Sequence, residues 1–391
     1  MTRTRPWDFY YCVFCLWDAF WRSGASSKWA GFTDTKKGWA FAMRVRLWCV
    51  LLLAGVGCGD AAWAAAAREG AASGEVASEA IQPAPEIFAP GVVSGPANDG
   101  SPAFMPDGKT IFFTRSTSGW GVIVESHWVD GKWSRPVVAP FSGEWPDSSP
   151  DVAPDGSYVV FQSTRPAAPL ADANKPKPGE PIAGVVSNLW RVDRVGTDSN
   201  AGWSKPARLP DAVNIGASIW KPSVAADGTI YFVSIDAKGG KRLYSARYAN
   251  GGYEQAQALP FSDGTTLDVD PEIAPDGSFL VFCSAGRLKG DAKDHLFIAL
   301  RDGKGWGTPT PVRYAGDEKN GYSTDDEPRL GPDHRTLYFS SDRAIATHFP
   351  RSAEQAKRDF EQMEMWGWFS GYGNVWSIPI SGWLTAGKGG A

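Results

Sequence analysis

From residue 98 onward the chain alternates short apolar runs with polar turns. The runs Thr110-Ile-Phe-Phe113, Tyr158-Val-Val-Phe161, Ile230-Tyr-Phe232, Phe279-Leu-Val-Phe282 and Leu337-Tyr-Phe339 are too short for helices and rich in β-branched and aromatic residues. Bounded by Gly, Pro and Asp, such runs predict strands buried on both faces. A common turn precedes each run: Ser101-Pro102-Ala-Phe-Met-Pro-Asp107-Gly108, Pro150-Asp-Val-Ala-Pro-Asp155-Gly156, Pro222-Ser-Val-Ala-Ala-Asp227-Gly228, Pro271-Glu-Ile-Ala-Pro-Asp276-Gly277 and Pro328-Arg-Leu-Gly-Pro-Asp333-His334. Pro presets φ, the Asp carboxylate caps the turn, and Gly takes positive φ, a place His334 fills in the last copy.

The turn aspartates lie 48, 72, 49 and 57 residues apart. Blades of four strands repeat at roughly 40–50 residues, so the longer spacings carry insertions. Asn188-Leu-Trp190, Leu243-Tyr244, His295-Leu-Phe297 and Asn374-Val-Trp376 are expected as third strands. Trp133-Ser-Arg-Pro136, Trp203-Ser-Lys-Pro206, Trp306-Gly-Thr-Pro309 and, in the third repeat, Tyr253 mark the fourth. The last repeat has no such strand, whereas Glu86–Pro90 precedes the first. The expected fold is therefore all-β: a single β-propeller of about five four-stranded blades over 86–383, its ring closed by an N-terminal strand that completes the last blade and removes the exposed edges.

The Pro-Asp-Gly turn, with Phe-x-Ser-x-Arg after the second strand (Phe339-Ser-Ser-Asp-Arg343 is the cleanest copy), resembles the TolB-type, WD40-like (PD40) repeat family. The resemblance covers residues 86–383 and implies the propeller fold. Family members include a periplasmic translocation protein and propellers attached to peptidases. The chain shows no Gly-x-Ser-x-Gly elbow and no separate N-terminal α/β domain, so neither role carries over from the resemblance.

The N-terminal part reads differently. Residues 1–42 are rich in Trp and Phe without a period, and are expected to be a start-site artefact or a disordered leader. Met43-Arg-Val-Arg followed by Leu47–Gly57 has the basic and apolar regions of a secretory signal over 43–58. Two processing routes are open: lipidation of Cys58, although Gly55 stands where a lipobox usually has Leu, or cleavage within Ala61–Ala67. Residues 59–85 read as a flexible linker and 384–391 as a tail. Export to the periplasm or anchoring at the outer membrane follows, with membrane contact only through a lipid on Cys58. Only Cys283 falls within the repeats, so no disulfide is expected there. The net charge is -4, with eight Lys/Arg against three Asp/Glu in residues 1–57 and an acidic remainder. That argues against nucleic acid as a partner.

Candidate chemistry converges on the face of the fourth-to-first and second-to-third loops. An Asp stands three residues before the repeat proline (Asp99, Asp147, Asp268, Asp325), a pattern the third blade breaks with Ile219 and Trp220. Further carboxylates follow at Asp270, Glu272, Asp326 and Glu327. A basic residue follows the second strand: Arg115, Arg165, Arg287 and Arg343. The plain reading makes each Asp and Arg an ion pair between blades; the functional one makes an acidic axial mouth. Oxygen ligands would suit calcium, but no calcium-loop motif supports it, so no metal or cofactor is assigned. The insertions Pro166–Val186 and Ala344–Gly373 decorate the same face. Ser352-Ala-Glu-Gln355 fits a capping box ahead of a helix over Ala353–Met365. Trp366 and Trp368 follow it, as core packing or as a partner surface. Two function classes remain: a monomeric, non-catalytic binding module for an envelope protein or a polar or glycan ligand, and a glycan-cleaving enzyme using paired carboxylates.

Overall fold

The computed structural model describes residues 83–386, except 118–119, 168–186, 197–201, 217, 237, 291–292, 304, 316–322, 344–349 and 367–372. The chain divides into two compact units, Met1–Gly74 and Glu75–Ala391. The first, with the expected signal and Cys58, lies outside the described residues. In the second, strands form the five blades of a β-propeller. The innermost strands are Asn98–Phe104, Asp147–Val152, Ile219–Val224, Leu267–Ile273 and Asp325–Leu330, defining blades 1 to 5 in chain order.

The second strands carry the apolar runs, and Phe113, Phe161, Phe232, Phe282 and Phe339 are fully buried. Alternate residues of each run pack on opposite neighbouring blades, so the core lies between blades as a ring of clusters. The ring closes as expected: Glu86–Ile87 pairs antiparallel with Asn374–Pro379 of blade 5, Glu86 opposite Ser377 and Ile87 opposite Trp376. Phe88 then fixes the seam, its ring 4.9 Å from Tyr338, 5.8 Å from Phe104 and 6.0 Å from Trp133.

The fourth strands differ from the expectation. In blade 1 the outer strand is two pieces, Lys132–Trp133 against the end of the third strand and Val137–Val138 against Val124 and Glu125. The Trp-x-x-Pro motif spans the break. Pro136 has no N–H for the ladder, and Ser134 substitutes, its hydroxyl accepting from the His127 N–H at 3.0 Å. Blade 2 repeats the device with Ser204 and the Asp193 N–H.

Every innermost strand is interrupted at one level. Register slips between Gly100 and Ala103, Ser148 and Asp151, Trp220 and Ser223, Val269 and Glu272, and Asp326 and Arg329. At each slip a residue with left-handed backbone precedes the repeat proline: Ser101, Ser149, Lys221, Asp270 and Glu327, with φ between 49° and 55°. Proline cannot donate to the ladder, so the strand bulges there. The five bulges form two tiers of side chains on the axis, one just before the prolines and one just after.

Candidate functional site

The recurring spacing of Asp and Arg builds clamps. Asp99, Asp147, Asp268 and Asp325 are 0, 0, 0 and 4 % exposed. Each is paired within its own blade: Arg115 Nε to Asp99 at 2.7 Å, Arg165 Nη2 to Asp147 at 2.9 Å, Arg287 Nη2 to Asp268 at 2.7 Å and Arg343 Nη2 to Asp325 at 2.6 Å. The pairs are thus within blades, where the sequence reading set them between blades. The same arginines donate to the connector arriving from the preceding blade, at the carbonyls of Val92, Phe141 and Phe261 and at the Tyr314 hydroxyl. They also lie over aromatic rings, Arg165 over Phe161 and Trp190, and Arg343 over Tyr314, Phe339 and Trp376. Burial raises the Asp99 and Asp147 carboxyls even though Arg115 and the Ser163 and Arg165 contacts pull them down. Burial alone would lower Arg343, but Asp325 and Tyr314 raise it. Each clamp ties a blade to its entering chain and engages most polar atoms of these eight side chains, although Arg343 Nη1 is buried without a hydrogen-bond partner. Blade 3 has Ile219 in the Asp position and no clamp.

What the clamps do not use is the axis. Lys221 of blade 3 is ion-paired with Glu327 of blade 5. These blades are not neighbours in a ring of five, so the contact crosses the channel. Lys221 Nζ also donates to Ser101 Oγ of blade 1 at 3.3 Å, and Ser101 Oγ donates to Glu327 Oε2 at 2.8 Å. The Glu327 N–H donates to Asp270 Oδ2 at 3.2 Å. Gly100 lies close beside this pair: a Cβ there would sit 2.0 Å from Glu327 Oε2, so any larger residue would displace the Glu327 side chain. Burial works against both charges, yet Glu327 and Asp270 hold Lys221 above its ordinary pKa and Lys221 holds Glu327 below. Asp270 and Asp326 go the other way: burial raises both, and for Asp326 the neighbouring Glu327 and Asp270 add to it. Of the acidic residues expected at the axial mouth, Asp270 stands there; Asp99, Asp147, Asp268 and Asp325 are in the clamps instead. Ser149, in the bulge of blade 2, is buried with an unpartnered Oγ.

The tier below comprises Ala103, Asp151, Ser223, Glu272 and Arg329, the residues just after the prolines. Three of them link each blade to the next. Asp151 accepts from the Val224 N–H at 2.7 Å, Ser223 from Ile273 at 3.0 Å and Glu272 from Leu330 at 2.8 Å. Arg329 cannot accept. It crosses the axis instead, donating to the Pro222 carbonyl of blade 3 at 3.0 Å and to Glu272 at 3.4 Å. Its guanidinium is held among the carbonyls of Pro222, Pro271 and Pro328 from blades 3, 4 and 5.

Sequence reasoning did not single out Lys221, Ser101, Ser149, Asp151 or Arg329. The signal that finds them is columnar: the residues on either side of the repeat proline, compared across the five copies. Among the described residues no group of three His, Cys, Asp or Glu side chains is arranged to hold a metal ion.

The capping box is present: the Ser352 N–H donates to Gln355 Oε1 at 2.8 Å and the Gln355 N–H to Ser352 Oγ at 3.1 Å. It starts a helix over Ala353–Trp366 on which Phe360 is 58 % exposed. The Trp366 side chain and all of Trp368 lie outside the described residues, as does most of the first insertion.

No family model and no curated protein matches the chain. Among solved structures it is similar to a putative TolB from Agrobacterium tumefaciens, at 16 % identity over 66 % of this chain and 74 % of that one, with a TM-score of 0.41. It is similar also to TolB from Acinetobacter baumannii, at 14 % identity over 73 % of this chain and 55 % of that one, with a TM-score of 0.38. The chain therefore spans about half the length of that protein. A third similar structure is an α-L-arabinofuranosidase from Podospora anserina, at 12 % identity over 76 % of this chain and 96 % of that one, with a TM-score of 0.45. The chain's own sheets make it a five-bladed β-propeller.

Proposed function

We propose that this chain is an exported, non-catalytic binding module of TolB-like type, and that its ligand presents a cationic or hydroxyl-rich group to the axial mouth. The observation that carries this is the charge cluster around Lys221. Three carboxyls, Asp270, Asp326 and Glu327, face one lysine, a surplus of acidic groups; burial first, and neighbouring carboxylates after it, raise Asp270 and Asp326. Such a surplus attracts cations and hydrogen-bond donors. The clamp residues, neutralised one for one, offer no such surplus. Export rests on the signal-like stretch over 43–58, and lipidation of Cys58 would anchor the module to a membrane.

The test is a glycan array together with a panel of amines, read for the wild type, Asp326→Asn and Glu327→Gln, each with its melting temperature. Loss of binding in a variant that still melts cooperatively supports the reading; unchanged binding in both variants refutes it. An enzyme reading has one observation in its favour. Asp326 is raised and the adjacent Glu327 lowered, the opposition in which one carboxyl donates a proton while the other stays ionised. Against it, Glu327 is engaged by Lys221. Turnover of aryl glycosides that disappears in Asp326→Asn while binding persists would establish the enzyme reading.

A further inference from the structure

At the other end of the axis the channel opens among the Asp-Gly turns as a funnel of about 200 Å³. Its rim is formed by the turn prolines Pro106, Pro154, Pro275 and Pro332 with His334, and its apex is the lower tier: Asp151, Ser223, Glu272 and Arg329. Arg329 is 1 % exposed, yet its Nε is buried without a hydrogen-bond partner. The Asp151 carboxylate is 3.8 Å away, beyond hydrogen-bond reach. The rest of the guanidinium is fixed, Nη1 on the carbonyls of Pro271 and Pro328 and Nη2 on that of Pro222. The unpartnered N–H is therefore held in place by three blades and cannot swing to find an acceptor. A buried orphan donor on the lining of a cavity is met by a water or by an outside acceptor that displaces it.

The chemistry of the apex narrows what that acceptor is. A carboxylate or phosphate would satisfy Arg329 but would meet Glu272 and Asp151. An ammonium would satisfy those carboxyls but would meet Arg329. A hydroxyl both accepts and donates, so adjacent hydroxyls can take the Arg329 N–H and give to Asp151 or Glu272. The proline rim suits the C–H faces of a ring. The volume is below the roughly 300–1,000 Å³ of pockets for drug-sized ligands, which fits one terminal residue of a longer molecule. We propose that this funnel is a second binding site, distinct from the Lys221 mouth, that takes the end residue of a neutral saccharide or polyol.

The proposal is tested by saturation-transfer NMR and calorimetry with methyl α-glucoside, methyl β-galactoside and myo-inositol, with acetate and ethylammonium as ionic controls. At least one neutral probe is expected to bind with a millimolar Kd. Asp151→Asn, which keeps an oxygen for the Val224 N–H, should weaken it tenfold or more. Pro106→Trp, a bulky change at an exposed rim position, should do the same without touching the apex. Lys221→Met should leave this affinity unchanged, which separates this site from the axial mouth whatever happens there. Binding of an ionic control in place of the neutral probes, no binding at all, or affinity unmoved by both Asp151→Asn and Pro106→Trp would each overturn the proposal.

Discussion

Lys221 and Glu327 are 106 residues apart on blades that do not adjoin, and their ion pair spans the propeller axis. The pair is partly screened, with 14 and 22 % of the two side chains exposed. Removing one partner leaves the other charge beside Asp270 and Asp326. Lys221→Met should therefore cost roughly 2–3 kcal/mol at neutral pH, below the range for fully buried pairs. The pH limits follow from the directions of shift. Lys221 is raised, so its contribution is present below the ordinary lysine pKa of about 10.4 and is lost as pH rises through the folded value. Glu327 is lowered, so its contribution is present above about 4.3 and is lost as pH falls through its folded value. Urea titrations of wild type and Lys221→Met across pH 5–9 should give a difference that grows with pH, because without Lys221 the neighbouring carboxyls are raised further.

Asp326 should behave in the opposite sense. Burial, Glu327 and Asp270 raise its carboxyl well above the usual range. Between its unfolded and folded pKa values the native state binds more protons, so stability falls as pH rises through that window. Asp326→Asn should raise the melting temperature at pH 7 and flatten the slope on the acid side of neutrality. A melting temperature that drops, with the slope retained, would contradict this.

The clamps give a third expectation. Asp147 is fully buried, and Arg165 is its only guanidinium partner among the described residues. Arg165→Met leaves an uncompensated buried carboxylate and should cost about 3–5 kcal/mol. Asp147→Asn should be milder, because Ser142 and the Gly143 N–H still have an oxygen to meet. Calorimetry measures both, and ligand affinity per folded molecule should not change in either.

Closure is tested at the seam. Phe88→Ala removes a half-buried ring from Phe104, Trp133 and Tyr338 and should cost about 1–2 kcal/mol. Deleting residues 86–90 should do more, because blade 5 then presents an unpaired edge at Asn374–Pro379, and aggregation should appear in light scattering.

The repeat, the blade number and the closing strand were legible because turn chemistry and apolar runs are local signals. The clamp partners were legible as a pair of recurring columns. Their facing was not. Counting by twos from Asp268 puts Asp270 on the same side of the strand, but the bulge at Asp270-Pro271 inserts a residue and turns the following side chains. Asp268 therefore goes to Arg287, and Asp270 to the axis. Lys221 escaped notice for a related reason. The break in pattern was visible at Ile219 and Trp220, whereas the residue that reaches Glu327 comes next, at the bulge. Arg329 carries no local sign of its role, since its partners come from blades 3 and 4.

The five prolines of the inner strands have a consequence for how such a molecule can change. Each fixes the kink that turns its preceding residue toward the centre, whatever that residue is: serine twice, lysine, aspartate and glutamate here. The framework and its contents are thus written at separate sites, with the frame in the prolines and clamps and the contents in five interchangeable slots. A different selection from the same alphabet, in those slots alone, would give a centre of another polarity inside an unaltered wall.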